Sequence, residues 1–478
     1  MTAHSGLRLW AFLCLTGCGF DVPLGFDDAG PCGGAAAPGL GLRADPAFGT
    51  CGAVTHDIGQ LDNVGFGTQG LAIDPQGRAL LAGTTGTQGD RNVGVLRLLP
   101  SGAVDTSFGS AGVGEVSLTT LDQGHGVLVQ PDGTILLAGV GQSFMAEPIS
   151  LLGKLSADGQ PELSFGLNGH AKAGTPGTCL GAWRRADGVV GCSGSAWASF
   201  PGPGDLALAA LDGVTGAKVT TFANAGVALI DYELLDQNGA VAVPALDGKV
   251  LIPGWTAGAT ARDFALARVD SNGQLDPTFR DARGLPGRIS VDFEGGDDEC
   301  RVAFAAANGT VLCAGQARLS DGTVAGAMVR LLDDGSLDPS FGTGGRVVLR
   351  AWNSVWAVLP LADGRFLIGG DARAVAGDLA QALQVLDASG TEGSTLLRFD
   401  VTSADDSIRS LLHDLDGRTW AFGVANGGSG NGDWVVRRFV SAPPVRMDVG
   451  GACSSVGGMG PALAILWLLR AALRRSRR

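Results

Sequence analysis

The feature that most constrains this chain is a unit that recurs seven times. A Gly following Asp, Asn or Gln, and then an apolar run, appears at Gly77, Gly133, Gly188, Gly248, Gly309, Gly364 and Gly417, at spacings of 53 to 61 residues. Asp132-Gly133-Thr134-Ile135-Leu136-Leu137-Ala138-Gly139 and Asn308-Gly309-Thr310-Val311-Leu312-Cys313-Ala314-Gly315 are representative. Asp-Gly or Asn-Gly between apolar runs marks a hairpin, because Gly accepts the positive φ of a tight reversal. The sequence therefore predicts seven hairpins.

Each hairpin is followed by another apolar stretch and, in several copies, by a second turn and an Asp-x-Ser/Thr-Phe segment. Examples are Asp105-Thr106-Ser107-Phe108-Gly109 and Asp338-Pro339-Ser340-Phe341-Gly342. The aromatic recurs at Phe48, Phe108, Phe165, Phe222, Phe279 and Phe341, with Phe399 as a degenerate seventh. A last short strand, such as Arg346-Val347-Val348-Leu349, completes about four strands per unit. Repeated four-stranded units of this size are the signature of β-propeller blades, whose two apolar faces are covered by neighbouring blades. The expected fold is all-β, a seven-bladed β-propeller of four-stranded antiparallel blades, with six or eight blades as the alternative.

The phase of the ends predicts how the ring closes. The hairpin at Gly417 is followed by one more strand, Trp434 to Val440, and by no Asp-x-Ser-Phe segment. The missing piece stands at the other end, as Asp45-Pro46-Ala47-Phe48-Gly49 and Cys51 to Ile58. An N-terminal strand should thus complete the last blade and remove two open sheet edges.

These residues resemble a known family. The turn glycine, the Arg-Leu or Lys-Leu before the second turn (Arg97-Leu98, Lys154-Leu155, Arg330-Leu331) and the Asp-x-Ser-Phe-Gly segment are similar to the delta-60 repeat, a β-propeller-like repeat common in deltaproteobacteria. The resemblance covers roughly residues 40 to 440. Val219-Thr220-Thr221-Phe222 departs from it by lacking the acidic residue, and copies six and seven lack Ser-Phe-Gly. The resemblance implies a fold and no mechanism.

Composition agrees with this architecture. Of 478 residues 78 are Gly, which disfavours a helical protein, and 45% are hydrophobic, which disfavours disorder. The net charge is -13. Arg8 is the only charge in residues 1–18, and Arg470, Arg474, Arg475, Arg477 and Arg478 are the only charges from 453 onward. The acidic body between them would repel a polyphosphate, so no nucleic-acid partner is expected.

The ends read as addresses. Residues 1–18 hold one Arg, the apolar run Leu9 to Leu15, and Leu15-Thr16-Gly17-Cys18, a secretory signal pattern. Its last four residues resemble a bacterial lipobox, which implies lipidation at Cys18; cleavage by an ordinary signal peptidase nearby, or a short core helix, is the rival reading. At the other end, Gly450-Gly451-Ala452-Cys453, a Gly-rich spacer, the run Pro461 to Leu469 and the terminal arginines resemble the sorting tails of myxobacterial surface proteins. That implies processing near Cys453, although Arg470 interrupts the run; an amphipathic helix packed on the body is the alternative. The domain plan is a signal peptide at 1–18, a linker at 19–39, the propeller at 40–440, a linker at 441–460 and a hydrophobic, Arg-tailed segment at 461–478. The expected location is exported, at the outer membrane or cell surface and lipid-anchored.

Six cysteines lie outside these signals. Cys179 and Cys192, and Cys300 and Cys313, are each 13 apart across a hairpin turn, at the same two positions of the repeat. Opposed hairpin positions approach disulfide reach, so both are expected as cross-strand disulfides, with Cys32–Cys51 stapling the N-terminal arm. Metal binding is the rival, but no Cys-x-x-Cys spacing is present.

Catalytic signatures are sparse. Five His stand at 4, 56, 125, 170 and 413 without ligand spacing, and His413 reads as a hydrogen-bonded structural residue. Gly65-Phe66-Gly67-Thr68-Gln69-Gly70 matches Gly-x-Gly-x-x-Gly but leads into a strand pattern, not the helix a dinucleotide needs. No catalytic residue, cofactor or metal is implied. One constellation remains: Asp122, Asp236, Asp298, Asn353 and Asp406 enter the first strand of their repeats, where they would ring a channel mouth and attract a cation such as calcium, or merely initiate turns. The expected function is an exported, surface-anchored, monomeric binding or adhesion scaffold, not an enzyme, with a protein, glycan or small ligand at a loop face. The alternatives are a secreted hydrolase or lyase with its site in the channel, and a passive envelope protein.

Overall fold

The computed structural model describes residues 40–56, 68–87, 89–142, 147–197, 203–232, 236–258, 261–374, 377–399, 401, 405–426 and 432–441. The signal and tail segments, with Cys18, Cys32 and Cys453, lie outside the described residues, as does the whole of the unit Pro443–Arg478 that separates from Met1–Ala442. Seven antiparallel sheets, each of four or five strands, follow one another along the chain. The fold is a seven-bladed β-propeller.

The chain enters each blade on its innermost strand and, in blades 1 to 6, leaves on its outermost. The inner strands are Leu71–Ile73, Gln123–Val129, Gly181–Arg184, Gln237–Gly239 with Val243–Pro244, Asp298–Ala305, Trp352–Pro360 and Asp406–His413. Each touches the next around the ring, and the seventh touches the first. The turn glycines fall between the first and second strand of every blade. All seven have positive φ, from 72° at Gly248 to 89° at Gly188. Seven apolar clusters fill the seven blade interfaces, so each sheet face is covered by its neighbour.

The ring closes through the N-terminus. Leu42–Ala44 and Ala53–His56 both pair antiparallel with Gly432–Ser441, in the registers Leu42↔Ser441 and Ala53↔Arg437. They occupy the outer edge of blade 7, where other blades carry their own fourth strand. Among the described residues, the strands at that edge of blade 7 come from residues 42–56.

The Asp-x-Ser/Thr-Phe signature turns out to be a clip between blades. In blade 1, Arg97 Nε donates to Asp105 at 2.9 Å, its guanidinium lies 4.2 Å over the Phe108 ring, and Nη1 donates to the Ala157 carbonyl of blade 2 at 2.6 Å. Arg268–Asp276–Phe279, Arg330–Asp338–Phe341 and Arg438–Asp45–Phe48 repeat the arrangement. The residue after the Phe then donates its N–H to the next blade's second turn, as Gly109 does to Asp158 at 2.8 Å. A Cβ at Gly159 would meet the Phe108 ring at 2.7 Å, so that turn carries no side chain. Blade 6 substitutes Gln384 and Glu392, bonded at 2.9 Å. Phe399 is not the seventh clip: it lies in the outer strand Leu397–Phe399 and packs on Phe439.

Among the described residues, the disulfides Cys179–Cys192 and Cys300–Cys313 tie the inner segment of blades 3 and 5 to the second strand, with Cα separations of 5.5 and 6.0 Å. Their geometry differs in one respect from directly opposed hairpin positions. Cys300 pairs with Gly315 and Cys313 with Ala303, so the bridge is diagonal and spans a bulge. Both are buried in blade interfaces, at equivalent places.

Candidate functional site

A β-bulge in the inner strands builds the site. The ladder skips one residue between Gly124 and Gly126, Cys300 and Val302, Val355 and Ala357, and Ile408 and Ser410. The skipped residues are His125, Arg301, Trp356 and Arg409. Each stands eight positions before its blade's turn glycine, as do Gln69, Leu180 and Ala240 in the other three blades. A bulge reverses the alternation of side chains and re-aims one residue. Here it re-aims His125, Arg301, Trp356 and Arg409, in four of the seven blades.

Five of the seven, His125, Leu180, Ala240, Arg301 and Trp356, line one cavity of about 530 Å³ with Gln123, Gln142, Thr178, Asn238, Trp255, Arg262 and Glu299. Five blades contribute to it, so the cavity is the mouth of the central channel. Gln69 does not line this cavity: its amide exchanges two hydrogen bonds of 2.9 Å with the Ala182 backbone of blade 3, passing over Gly126. A second cavity of about 440 Å³ lies where the inner strands of blades 7, 1 and 2 end, lined by Ile73, Val129, Leu412 and His413.

Two residues of the first cavity's lining, Arg301 and Trp356, belong to a stack of three side chains whose third member, Arg409, is not part of the lining. The Arg301 guanidinium carbon lies 3.7 Å and that of Arg409 3.5 Å from the centroid of the Trp356 ring. Two carbons that close must each lie almost on the ring normal, so they cannot share a face; the indole is sandwiched between two cations. Trp356 Nε1 donates to Asp371 at 2.6 Å, and Asp371 also accepts from Asn353 and Ser407. Arg301 pairs with Glu299 at 2.9 Å. Nε and Nη1 of Arg409 are buried without a hydrogen-bond partner among the described residues. Burial pulls Arg409 down to about 10 and Arg301 below its ordinary value. Burial also pushes His125 down to about 4, so this imidazole is neutral at pH 7.

The acidic ring occupies the layer above but faces elsewhere. Asp122, Asp298 and Asp406 are fully buried and accept backbone N–H groups, from Leu118 and Thr119, from Phe293 and Arg318, and from Val401. Asn353 donates to Asp371. Asp236 accepts from Gly204 N–H at 3.0 Å and is out of phase, twelve residues before its turn glycine where the others are eleven. Asp122, Asp298 and Asp406 therefore hold the loops that enter their inner strands, whereas Asn353 bonds the second strand of blade 6 and Asp236 the third strand of blade 3. Among the described residues no group of three or more His, Cys, Asp or Glu is placed to hold a metal ion. His413 bonds Thr419 through Nδ1 at 3.2 Å, and Gly70 leads into the strand Leu71–Ile73.

Sequence reasoning missed Glu299, Arg301, Trp356 and Arg409. The distance of eight residues from the turn glycine that Arg301, Trp356 and Arg409 share was the signal that would have found those three.

Three segments, 75–108, 246–279 and 306–341, match the model of a family described as a β-propeller domain of unknown function, DUF5122. Each runs from a hairpin turn to a signature aromatic, Phe108, Phe279 or Phe341. No curated protein matches the chain. Among solved structures, it is similar to a protein of unknown function from Dyadobacter fermentans DSM 18053, at 15% identity over 66% of this chain and 93% of that one, with a TM-score of 0.39. Polysaccharide lyase Uly1 is 12% identical over 81% and 91%, with a TM-score of 0.48. Sqt1 from Chaetomium thermophilum is 12% identical over 78% and 82%, with a TM-score of 0.40. Likeness at these levels carries nothing about activity.

Proposed function

We propose that this protein is an exported, surface-anchored binding scaffold that takes its ligand at the channel mouth lined by Gln123, Asn238, Arg301 and Trp356. The observation that carries the reading is convergence: five blades aim amides, guanidinium groups and an indole into one cavity of about 530 Å³. That volume suits a small molecule or one end of a larger one. The disulfides Cys179–Cys192 and Cys300–Cys313 favour an oxidising compartment, in keeping with the signal pattern of residues 1–18. A thermal-shift screen of sugars, peptides and small acids tests it, with the double variant Arg301→Gln, Trp356→Ala as control. Ligands that stabilise the parent and leave the variant unmoved support the reading; no stabilising ligand of any class contradicts it.

A second reading, a hydrolase or lyase, draws on one observation: His125, Glu299 and Arg301 share the cavity. Against it, Glu299 is engaged by Arg301 and His125 is held neutral by burial alone, with Nδ1 unpartnered. Turnover in a glycan and peptide cleavage panel, lost on His125→Gln, would establish the enzyme.

A further inference from the structure

A ligand at the channel mouth meets charges that the protein has already matched. Arg301 pairs with Glu299 at 2.9 Å, and Asp371, bonded to Trp356 Nε1 at 2.6 Å, acts with Glu299 on both Arg301 and Arg409. Two guanidinium groups thus stand against two carboxylates. The remaining cation of the lining, Arg262, is exposed and lies 4.2 Å over the Trp255 ring, where water screens it. A charged group entering this cavity would give up hydration without an unmatched partner to receive it. Charge is therefore not what the cavity selects.

What stands open is hydrogen-bonding capacity. His125 lines the cavity while only 3% exposed, and neither ring nitrogen has a hydrogen-bond partner among the described residues, with Nδ1 fully buried. Burial keeps this imidazole neutral at pH 7, so one nitrogen donates and the other accepts. The side-chain amides of Gln123 and Gln142 also line the cavity without a partner among the described residues. All three belong to blade 2: Gln123 and His125 stand on the strand Gln123–Val129, and Gln142 lies one residue past the paired strand Ile135–Gly141. Groups that each donate and accept match hydroxyls, which do both on one atom. An apolar ligand would leave them buried and unpaired. An extended peptide could not add as a strand, because the bulges between Gly124 and Gly126 and between Cys300 and Val302 interrupt the backbone groups it would pair with. We infer, on the strength of the binding reading, that the cavity takes an uncharged saccharide whose hydroxyls pair with Gln123, His125 and Gln142.

A glycan array printing neutral chains beside carboxylated, sulfated and amino-sugar chains tests this, followed by calorimetry on the strongest neutral binder. The expected result is retention by neutral chains, with a carboxylate, sulfate or ammonium on the bound ring weakening affinity at least about tenfold. His125→Phe should weaken the neutral sugar about threefold to tenfold, the share of a hydrogen bond or two. Because it removes an unpaired buried nitrogen, the same variant should keep or raise the thermal midpoint, which damage to the fold would not do. Gln142→Ala, at a half-buried position, supplies a second check and should weaken the sugar by a similar factor. Binding by charged chains alone would overturn the inference and leave the binding reading standing. Stabilisation by peptides alone in the thermal-shift screen would overturn the saccharide assignment. Full affinity in both variants would overturn the placement of the sugar against blade 2. No binding by any printed glycan would overturn the inference outright, while the binding reading falls only if the thermal-shift screen is empty as well.

Discussion

Arg438 and Asp45 stand 393 residues apart and form a buried ion pair, with Nε donating at 2.7 Å. The same guanidinium lies 4.7 Å over Phe48 and donates through Nη1 to the Pro100 carbonyl of blade 1 at 2.6 Å. One side chain therefore ties the last long strand to the first short ones and to the next blade.

Closure predicts a specific cost. Arg438→Gln leaves Asp45 buried and unpaired, which should destabilise the protein by ~3–5 kcal/mol. Deleting residues 40–58 should cost more, because it also exposes the edge of Gly432–Ser441. Urea denaturation measures both. A truncation as stable as the parent would contradict closure by the N-terminal strand.

The clip predicts that a signature aromatic matters to a neighbouring blade. Phe108 and Phe341 are fully buried, so Phe108→Ala or Phe341→Ala should each cost ~3–5 kcal/mol. Phe399→Ala, in no clip, should cost less. Equal losses at all three positions would argue against the distinction.

Each disulfide closes a loop with a sequence separation of 13. Replacing Cys179 and Cys192 together by Ala should remove ~3 kcal/mol, seen as a lower denaturation midpoint. Peptide mapping without reductant should recover Cys179 with Cys192 and Cys300 with Cys313. Free thiols at these four positions would contradict the pairing.

Two buried groups predict opposite responses to pH. Burial holds His125 at about 4, below its unfolded value of 6.5, so the unfolded chain binds the extra proton and stability is lost as pH falls from 6.5 to 4. Burial pushes Asp298 up from 3.8 to about 7, so the folded chain keeps the proton and stability is lost as pH rises between those values. Each slope is at most ~1.4 kcal/mol per pH unit, and in the parent they offset. Denaturation from pH 4.5 to 6.5 should show His125→Gln losing stability relative to the parent as pH rises, and Asp298→Asn losing it as pH falls. Parallel pH curves for parent and variants would refute both assignments.

Turn glycines, signature aromatics and the phase of the ends made the ring legible, because hairpins and strand alternation are local properties. The site was less legible for a geometric reason. Counting strand parity from Asp122 toward the channel places the acids inward and His125 outward, and the bulge at His125 breaks that count. Asp122 consequently holds Leu118 and Thr119 while His125 lines the cavity. The Arg301–Trp356–Arg409 stack joins residues from three blades, and no local pattern records which blades are neighbours across a ring.

The account depends most on the channel mouth being where a ligand sits. Hydrogen–deuterium exchange with and without a saturating stabilising ligand from the thermal-shift screen locates the contact directly. The account predicts slowed exchange in the inner strands Gln123–Val129, Asp298–Ala305, Trp352–Pro360 and Asp406–His413. Protection confined to outer strands such as Val113–Val116 and Arg346–Leu349, with the inner strands unchanged, would contradict it.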